Sequence, residues 1–418
     1  MKTIAVIGGG ITGVTTAYAL ARRGLDVTLF ERHRYAGMET SFANGGQLSA
    51  SNAEVWTHWS TILKGLKWML RSDAPLLVHP KPSWHKLSWF AQFIANIPHY
   101  ERNTVATAEL AIRAREHLFG WADAEGIDFD LKRQGILHIY RDRKGFEHAA
   151  SVSALLARGG LPRRAVTPQE MRAIEPTLAG QYYGGFYTES DSTGDIHKFT
   201  HGLSLACTRR GVRTLYGQDV RALRSDGQVA TVEAGQGAQR EVHRFDAVVV
   251  CAGVASRELA AQLGDRVNIY PVKGYSITVS LLDEASRAGA PTVSLLDDET
   301  KLVTSRLGDD RFRVAGTAEF DGFNRNIRAD RIKPLVDWVQ QCFPGVSTRQ
   351  VVPWAGLRPM MPDLMPRVGR GRRANVFYNT GHGHLGWTLS AATADLLGSS
   401  VEQALGARQA LPAGALAA

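Results

Sequence analysis

Three glycines close to the N-terminus have the spacing of a turn that binds phosphate groups. Gly8, Gly10 and Gly13 form the pattern G-x-G-x-x-G, in which the first glycine allows a tight turn and the second lets a pyrophosphate approach the main chain. The third lets the following helix pack closely against the strand. The N-terminal N–H groups of that helix, together with its dipole, favour a phosphate. The pattern therefore predicts a site for a dinucleotide cofactor.

The segments that flank this turn have the pattern of a βαβ unit. An apolar run at 4–7 predicts a buried strand, 14–23 has helical periodicity, and 26–30 predicts a second strand that ends at Glu31. A carboxylate at that position accepts hydrogen bonds from a ribose and disfavours a cofactor with a 2′-phosphate. A glycine-rich turn without a ligand is the alternative, which the combination of strand, helix, strand and acid disfavours.

A second glycine-rich turn lies near the C-terminus. Gly381, Gly383 and Gly386 follow a predicted strand and precede a predicted helix, so here too the main chain and a helix dipole can face negative charge. In a flavoenzyme this arrangement would stabilise the charge of the reduced ring. A loop without a ligand is the alternative. His382 and His384 are not expected to bind a metal, because no carboxylate or cysteine stands at ligand spacing.

The segment Gly356-Leu357-Arg358-Pro359 contains an arginine that can recognise a carboxylate. We expect Arg358 to be restrained between a glycine turn and a proline. Its planar guanidinium is suited to hold a carboxylate through two parallel hydrogen bonds. A surface arginine with a solvated partner is the alternative.

Taken together, six motifs in order along roughly residues 1 to 400 resemble those of the D-amino acid dehydrogenase family. That family is a branch of the superfamily of FAD-dependent D-amino acid oxidases, glycine oxidases and sarcosine oxidases. The motifs are GGGITG, ETSFANGGQ from Glu39, TGD from Thr193, PVKGYS from Pro271, GLRPMMPD from Gly356 and NTGHGHLGWT from Asn379.

The resemblance implies roles for individual residues. Arg358 is expected to bind the α-carboxylate of the substrate. His382 is a second candidate catalytic residue, and Tyr275 is a third, although a tyrosine that only caps the sheet is an equal alternative. The residues expected to contact FAD are Gly8, Gly10, Ile11, Thr12, Gly13, Glu31, Arg32, Thr40, Ser41, Asn44, Gly45, Gly46, Gln47, Leu48, Val220, Ala252, Gly253, Gly383, His384, Leu385, Gly386, Trp387 and Thr388.

Three positions depart from the family pattern. Thr300 stands where members often have a tyrosine, so a polar contact to the substrate is expected to be missing. Met361 makes the edge after Arg358 more apolar than the usual Met-Thr. Gly356 stands where the sarcosine oxidase branch has the cysteine that tethers the flavin, so FAD is expected to bind non-covalently.

The order of predicted elements indicates an α/β fold with two domains. A Rossmann-like FAD-binding domain is expected to be discontinuous, over 1–53, 95–130, 196–265 and 346–418. A substrate domain with a mainly antiparallel sheet is expected over 131–195 and 266–345. Thr167, followed by Pro168 and Glu170, predicts a capped helix start.

The excursion 54–94 is unusually rich in tryptophan. Five of the nine tryptophans stand there, interleaved with lysine and arginine, for example Lys64, Lys67 and Arg71. Tryptophan at the headgroup level and cations beside acidic lipid are typical of a peripheral membrane contact. Packing of these tryptophans onto the FAD-binding domain is an equal alternative.

Composition bounds the remaining possibilities. The 418 residues are 44% hydrophobic and carry a net charge of +9, without a recognised nucleic-acid motif, so nucleic-acid binding is not expected. The three cysteines suggest neither a disulfide framework nor a zinc site. With no apolar run long enough to span a bilayer and no room for a signal before the first strand, a cytoplasmic protein is predicted, with the inner face of the membrane as a potential contact.

The sequence thus predicts FAD-dependent oxidative deamination of D-amino acids, with electrons passed to a quinone or another respiratory acceptor. Within the same class, a secondary amine or glycine-like substrate such as D-proline, hydroxyproline or sarcosine is the alternative. An NAD-dependent dehydrogenase and a non-catalytic flavoprotein subunit are the alternatives from other classes.

Overall fold

The protein is described by a computed structural model in which residues 1–59, 61–62 and 74–406 are placed. Lys64, Lys67, Trp68 and Arg71 of the Trp-rich excursion lie outside the described residues. The described strands are β1 Thr3–Ile7, β2 Asp26–Glu31, β3 Gln47–Leu48, β4 Leu76–Val78, β5 Ile136–Tyr140, β6 Arg164–Val166, β7 Gly184–Thr188, β8 Ser192–Thr193, β9 Arg213–Tyr216, β10 Asp219–Ser225, β11 Ala230–Gly235, β12 Glu241–Phe245, β13 Ala247–Val250, β14 Tyr270–Ser280, β15 Ser294–Asp297, β16 Leu302–Leu307, β17 Arg311–Phe320, β18 Val351–Met360, β19 Arg367–Arg370 and β20 Val376–Thr380. The described α-helices are α1 Ile11–Ala21, α2 Trp84–Ala95, α3 Tyr100–Glu125, α4 Arg143–Arg158, α5 Pro168–Ile174, α6 Ile196–Arg209, α7 Ser256–Gln262, α8 Glu284–Gly289, α9 Ala329–Cys342 and α10 Gly386–Leu405.

A six-stranded sheet in the order β19-β20-β13-β1-β2-β9 forms the unit that is predicted to bind a dinucleotide. Its strands from β20 to β9 are parallel neighbours, and β19 pairs antiparallel with β20 at the edge. The central strands are apolar throughout because both their faces are covered, one by helices such as α1 and α10 and the other by β10, β11, β12 and α7. The contributing strands are far apart in the chain, which confirms that this unit is discontinuous.

Helices α1, α6, α3 and α10 pack on this sheet and around each other. The apolar face of α1 meets that of α10, where Trp387 and Leu397 are buried in the same cluster as Val14 and Leu20. Asp195 starts α6, because its carboxylate accepts the N–H groups of His197 and Lys198. This packing fixes the direction in which α1 and α10 present their N-termini.

A nine-stranded mixed sheet forms the second layer, in the order β18-β14-β17-β16-β15-β5-β7-β6, with β4 paired to β17. Alternate side chains of the long antiparallel strands β14, β17 and β18 face α9 and pack there around Trp338 and Phe343. The mainly antiparallel sheet that was predicted for the substrate domain is confirmed. The capping box at Thr167 is also confirmed, since Thr167 and Glu170 exchange hydrogen bonds at the start of α5.

Two features of the organisation were not predicted. Strands β10, β11 and β12 form a separate three-stranded antiparallel sheet between β9 and β13. In addition, β18 pairs with β14 over its whole length, with Val272 opposite Arg358. The predicted bounds place this strand in the FAD-binding domain, but its hydrogen bonds attach it to the nine-stranded sheet.

Candidate active site

A cavity that is partly open to solvent runs from the carboxyl ends of β1 and β2 to the edge of the nine-stranded sheet. The predicted site residues that line it are Gly8, Gly10, Ile11, Thr12, Glu31, Arg32, Thr40, Ser41, Asn44, Val220, Ala252, Gly253, Arg358, His382, Gly383, His384, Gly386 and Trp387. One cavity therefore brings together residues from the N-terminal turn, the C-terminal turn and the arginine motif.

Close packing explains the glycines of the N-terminal turn. Gly8 has a φ of +107°, and a Cβ at Gly13 would lie 1.7 Å from the carbonyl oxygen of Gly8. A Cβ at Gly10 would meet only the Ser41 hydroxyl, at 3.5 Å. Gly8 and Gly13 are therefore required by the turn itself, whereas the space at Gly10 is left open toward the cavity. This open cradle fits the approach of a pyrophosphate to the main chain.

Glu31 is buried at the end of β2 and holds the turn in place. Its carboxylate accepts the N–H of Gly9 at 2.7 Å and the N–H of His33 at 2.8 Å. The Ser41 hydroxyl accepts the N–H of Ile11 at 3.0 Å, at the first turn of α1. The acid predicted to contact a ribose thus also orders the glycine turn around the site.

Arg358 lies on the continuous strand β18 and reaches the cavity from the nine-stranded sheet. The prediction of a glycine turn before it is wrong, because Gly356 is paired within the strand opposite Gly274. Its Nη1 donates to the carbonyl oxygen of Thr317 at 2.7 Å, and its Nη2 points to that of Gly316 at 3.4 Å. Among the described residues no carboxylate lies within ion-pair distance of Arg358. Burial lowers the pKa of Arg358 to about 10, so the guanidinium remains charged at neutral pH.

Two local features give the guanidinium its position. A Cβ at Gly274 would lie 2.2 to 2.3 Å from three of its atoms, so the group lies flat against the glycine of β14. Thr317 has a φ of +55°, an uncommon conformation for a residue with a side chain, and its carbonyl accepts the short hydrogen bond. The pairing of β14 with β17 shifts register between Lys273 and Tyr275, beside the same glycine.

The C-terminal turn and the start of α10 carry three buried polar atoms on residues that line the cavity. Nδ1 of His382, Nε2 of His384 and Nε1 of Trp387 have no hydrogen-bond partner among the described residues. Nε2 of His382 lies 2.9 Å from the Thr393 hydroxyl, and the ring of His384 stacks on Trp56 at 4.7 Å. Unpaired buried polar atoms are costly, so these three atoms fit a bound polar group.

Both histidines are neutral. Burial lowers the pKa of His382 to about 3. Burial, with the nearby charge of Arg358, lowers the pKa of His384 to about 3 as well. Neither residue is therefore a charged acid at physiological pH. Across the described residues, no group of three or more His, Cys, Asp or Glu side chains has the arrangement of a metal site.

Other predicted site residues lie beside the cavity and not on its lining. Gln47 donates from its amide to the Ser294 hydroxyl and to the carbonyl of Leu295, and so connects β3 to β15 of the nine-stranded sheet. Tyr275 is buried on β14, and its hydroxyl donates to Glu319 at 2.6 Å. The predicted site residues outside the lining are Gly13, Gly45, Gly46, Gln47, Leu48, Tyr275, Leu385 and Thr388.

Several lining residues were missed by the sequence reasoning. Gln218 and Asp219 follow β9, and Phe323 and Arg325 belong to the loop after β17. The position of Gln218 and Asp219 after a parallel strand is a signal that a search at strand ends could have used. Nothing local in the sequence marks Phe323 or Arg325.

The chain belongs to the FAD dependent oxidoreductase family, whose model matches residues 3–399. The fold agrees with this class: the chain is similar to a glycine oxidase from Geobacillus kaustophilus, with a TM-score of 0.73, 22% identity, and coverage of 96% of this chain and 95% of that one.

Two curated relatives are similar over nearly the whole chain. One, from Mesorhizobium japonicum, is named D-amino acid dehydrogenase 3; it is 62% identical over 401 residues, which are 96% of this chain and 97% of the relative. The other, from Paramagnetospirillum magneticum, is named D-amino acid dehydrogenase. It is 41% identical over 413 residues, which are 96% of this chain and 95% of the relative.

Proposed function

We propose that this protein is an FAD-dependent dehydrogenase that converts D-amino acids to 2-oxo acids and ammonia. The observation that carries the proposal is the charged guanidinium of Arg358, which faces the cofactor cavity with no carboxylate partner among the described residues. A cation in such a place is suited to the α-carboxylate of an amino acid. The names of the two close relatives support the same substrate class.

The residues present fit FAD, because the open cradle at Gly10, the acid Glu31 and the unpaired polar atoms of the C-terminal turn line one cavity. Bound FAD supplies the oxidant, which takes up two electrons and one proton equivalent from the Cα–H of the substrate. The residues that were predicted to contact FAD and that line the cavity would hold the cofactor. Helix α1 would direct its N-terminus toward the phosphates.

In the proposed reaction the chain acts mainly by orientation. Arg358 holds the carboxylate, and the neutral rings of His382 and His384 keep this end of the cavity free of a competing positive charge. The amine is oxidised in its neutral form, and the imino acid that results hydrolyses in water to a 2-oxo acid and ammonia.

The decisive experiment is anaerobic bleaching of the flavin absorbance by a panel of D-amino acids. The comparison compounds are the L-enantiomers, D-proline, hydroxyproline, sarcosine, glycine, and alcohols that NAD-dependent dehydrogenases oxidise. We expect rapid bleaching by D-amino acids with a primary amine, and stoichiometric release of ammonia. Bleaching by the secondary amines alone would replace the proposed substrate class. A yellow protein that no amine bleaches would indicate a non-catalytic subunit.

Non-covalent binding is part of the same proposal. A Cβ at Gly356 would lie 2.1 Å from the Trp354 ring, so the strand does not accommodate a cysteine there without rearrangement. Cys251 lines the cavity, but its buried thiol contacts the Thr16 hydroxyl and burial raises its pKa to about 12, which disfavours a nucleophilic thiolate. Acid precipitation is expected to leave the flavin in the supernatant; a yellow pellet would contradict this.

The proposal extends to a quinone-type acceptor reached at the membrane surface. Among the described residues no helix is long and apolar enough to cross a bilayer. Helix α2 instead exposes an apolar face, with Trp84 79% exposed and Leu87 and Ile94 on the same side. Trp59, earlier in the excursion 54–94, is 58% exposed. Trp89, in contrast, is buried and donates to the carbonyl of Met360, so part of the excursion packs on the core.

Co-sedimentation with anionic liposomes tests the membrane contact. The wild-type protein is expected to pellet at low salt, and the double variant Trp84→Ser/Leu87→Ser to stay in the supernatant. Val242→Ser, which changes an exposed apolar residue on β12, is the matched control. If the double variant pellets as well as the wild type, α2 is not the contact. Reduction of a soluble quinone in place of oxygen tests the acceptor independently.

A further inference from the structure

The loop 321–328, which follows β17, reaches the mouth of the cavity from the nine-stranded sheet. Phe323 and Arg325 line the cavity from this loop, and Phe323 remains largely exposed. The loop belongs to the substrate-binding side of the molecule, whereas the nearest part of the cavity is built by β2 and the segment after it. The loop therefore bridges the mouth of the cavity.

A single carboxylate connects the two sides. One oxygen of Glu39 accepts Nη1 of Arg325 at 2.5 Å. The other oxygen contacts the guanidinium of Arg32 and, at 2.8 Å, the ring of His33. Burial favours the neutral carboxyl, but the hydrogen bonds from Arg325 and His33 outweigh it and lower the pKa of Glu39, which is thus ionised at neutral pH.

The base of the loop is held in the protein interior. Nζ of Lys273, which is fully buried and paired with Glu319 at 3.4 Å, donates to the main-chain carbonyl of Asn326 at 3.2 Å. The side chain of Asn324 bonds to Asp321 at 2.6 Å and to the N–H of Asn326 at 2.8 Å. These contacts restrict where the loop carries the side chain of Arg325.

Two arginines and one carboxylate meet at this contact on the lining of the cavity. Arg32 and Arg325 are permanent cations, and Glu39 is the carboxylate between them. The pyrophosphate of FAD carries two negative charges and would lie near α1, whose first turn has no acidic residue. A cation supplied by the loop would attract this group and oppose its release.

We propose that Arg325 is a cofactor-retaining residue: with Glu39 it forms a clasp between the loop 321–328 and the segment after β2 that slows the loss of FAD. The proposal rests on FAD binding, which the proposed function includes, and not on which amine is oxidised. A failure of the amine panel would therefore leave it standing.

The experiment measures the rate at which the purified holoenzyme releases FAD after dilution, followed by the recovery of flavin fluorescence, at low and high salt. Arg325→Ala is expected to raise the release rate about tenfold at low salt, and Arg325→Lys less. High salt is expected to accelerate release from the wild type and to have little effect on Arg325→Ala, because salt screens the ion pair that the variant lacks. Arg349→Ala, an exposed arginine away from the cavity, is the matched control and should release FAD at the wild-type rate.

A double-mutant cycle separates the clasp from a general effect on folding. If Arg325 and Glu39 act together, Glu39→Gln/Arg325→Ala releases FAD no faster than the faster single variant. Thermal unfolding of the apoproteins should be the same for Arg325→Ala and the wild type. A release rate for Arg325→Ala within twofold of the wild type, or an equal salt response of the two proteins, would overturn the proposal.

Discussion

At the end of the cavity beside β1 and α1, the lining is mostly main chain from one continuous stretch, whereas the Arg358 end is assembled from side chains and carbonyls of three strands. Gly8, Gly10 and Glu31 all belong to the first βαβ unit. Arg358 instead depends on Gly274 of β14 and on the carbonyl of Thr317 in β17. A site made of main-chain groups is defined by local conformation, and a site made of one long side chain by everything packed around it.

This difference predicts which property of the protein changes when residues at either end of the cavity are substituted. Substitutions at the main-chain end should alter cofactor affinity or the stability of the apoprotein. Substitutions around Arg358 should alter the kinetics of the amine substrate while FAD stays bound. The following predictions test that separation in order of expected effect.

Arg358→Lys should cause the largest loss, because it keeps the charge but removes the planar fork that pairs with a carboxylate. We expect kcat/KM for D-amino acids to fall by roughly tenfold to a thousandfold, equivalent to about 1.4–4 kcal/mol. Steady-state kinetics measure the change, and flavin absorbance checks that FAD is retained. Arg349→Lys is the control. Kinetics equal to those of the wild type would assign carboxylate binding to another residue.

Gly13→Ala and Gly10→Ala should separate folding from cofactor binding. The added methyl group at Gly13 would clash with the carbonyl of Gly8, and overpacking of this kind costs roughly 1–3 kcal/mol. We expect urea unfolding of the apoprotein to show this loss for Gly13→Ala but not for Gly10→Ala. Gly10→Ala should instead weaken FAD binding, measured by quenching of flavin fluorescence. Equal effects of the two variants on unfolding would contradict the assignment of an open cradle to Gly10.

Gly274→Ala should displace the guanidinium of Arg358 without removing it. Because the added Cβ would lie within 2.3 Å of the group, we expect about a tenfold loss in kcat/KM, mainly through a higher KM, or ~1.4 kcal/mol. Titration with a carboxylate inhibitor, followed by the flavin spectrum, should show the same loss of affinity. Gly120→Ala on helix α3, where a Cβ meets nothing within 4 Å, is the control. A lower kcat with unchanged KM would place the effect elsewhere.

His382 should make the smallest contribution, visible only in acid. Its pKa is lowered to about 3 in the folded protein, so the unfolded chain takes up a proton near pH 6.5 while the native state does not. The contribution of His382 to the free energy of unfolding is therefore fully present above pH 6.5 and is lost as the pH falls from there toward 3. Between pH 7 and 5.5 we expect His382 to contribute roughly 1 kcal/mol to the loss of stability, so urea unfolding should show a loss smaller by this amount in His382→Asn, while His384, whose pKa is also lowered to about 3, contributes in both proteins. The same pH dependence in both proteins would show that another group titrates.

The sequence alone was enough for those parts of the molecule that depend on neighbours in the chain. The spacing of Gly8, Gly10 and Gly13 and the acid Glu31 indicated the cofactor end, because a tight turn, a helix start and a strand end are local features. The capping box at Thr167 could be predicted for the same reason. The family resemblance added the role expected of Arg358, which its local context left open.

Only the tertiary structure decided which residues surround Arg358 and which domain carries it. The register of β14 with β18 sets Gly274 and the Thr317 carbonyl beside the guanidinium, and register depends on long-range pairing that no local pattern specifies. The same holds for Arg325, which reaches the cavity from a loop that is remote in sequence from Glu39. Side chains that meet across two sheets are selected by the packing of the whole fold, so their partnership is decided in three dimensions.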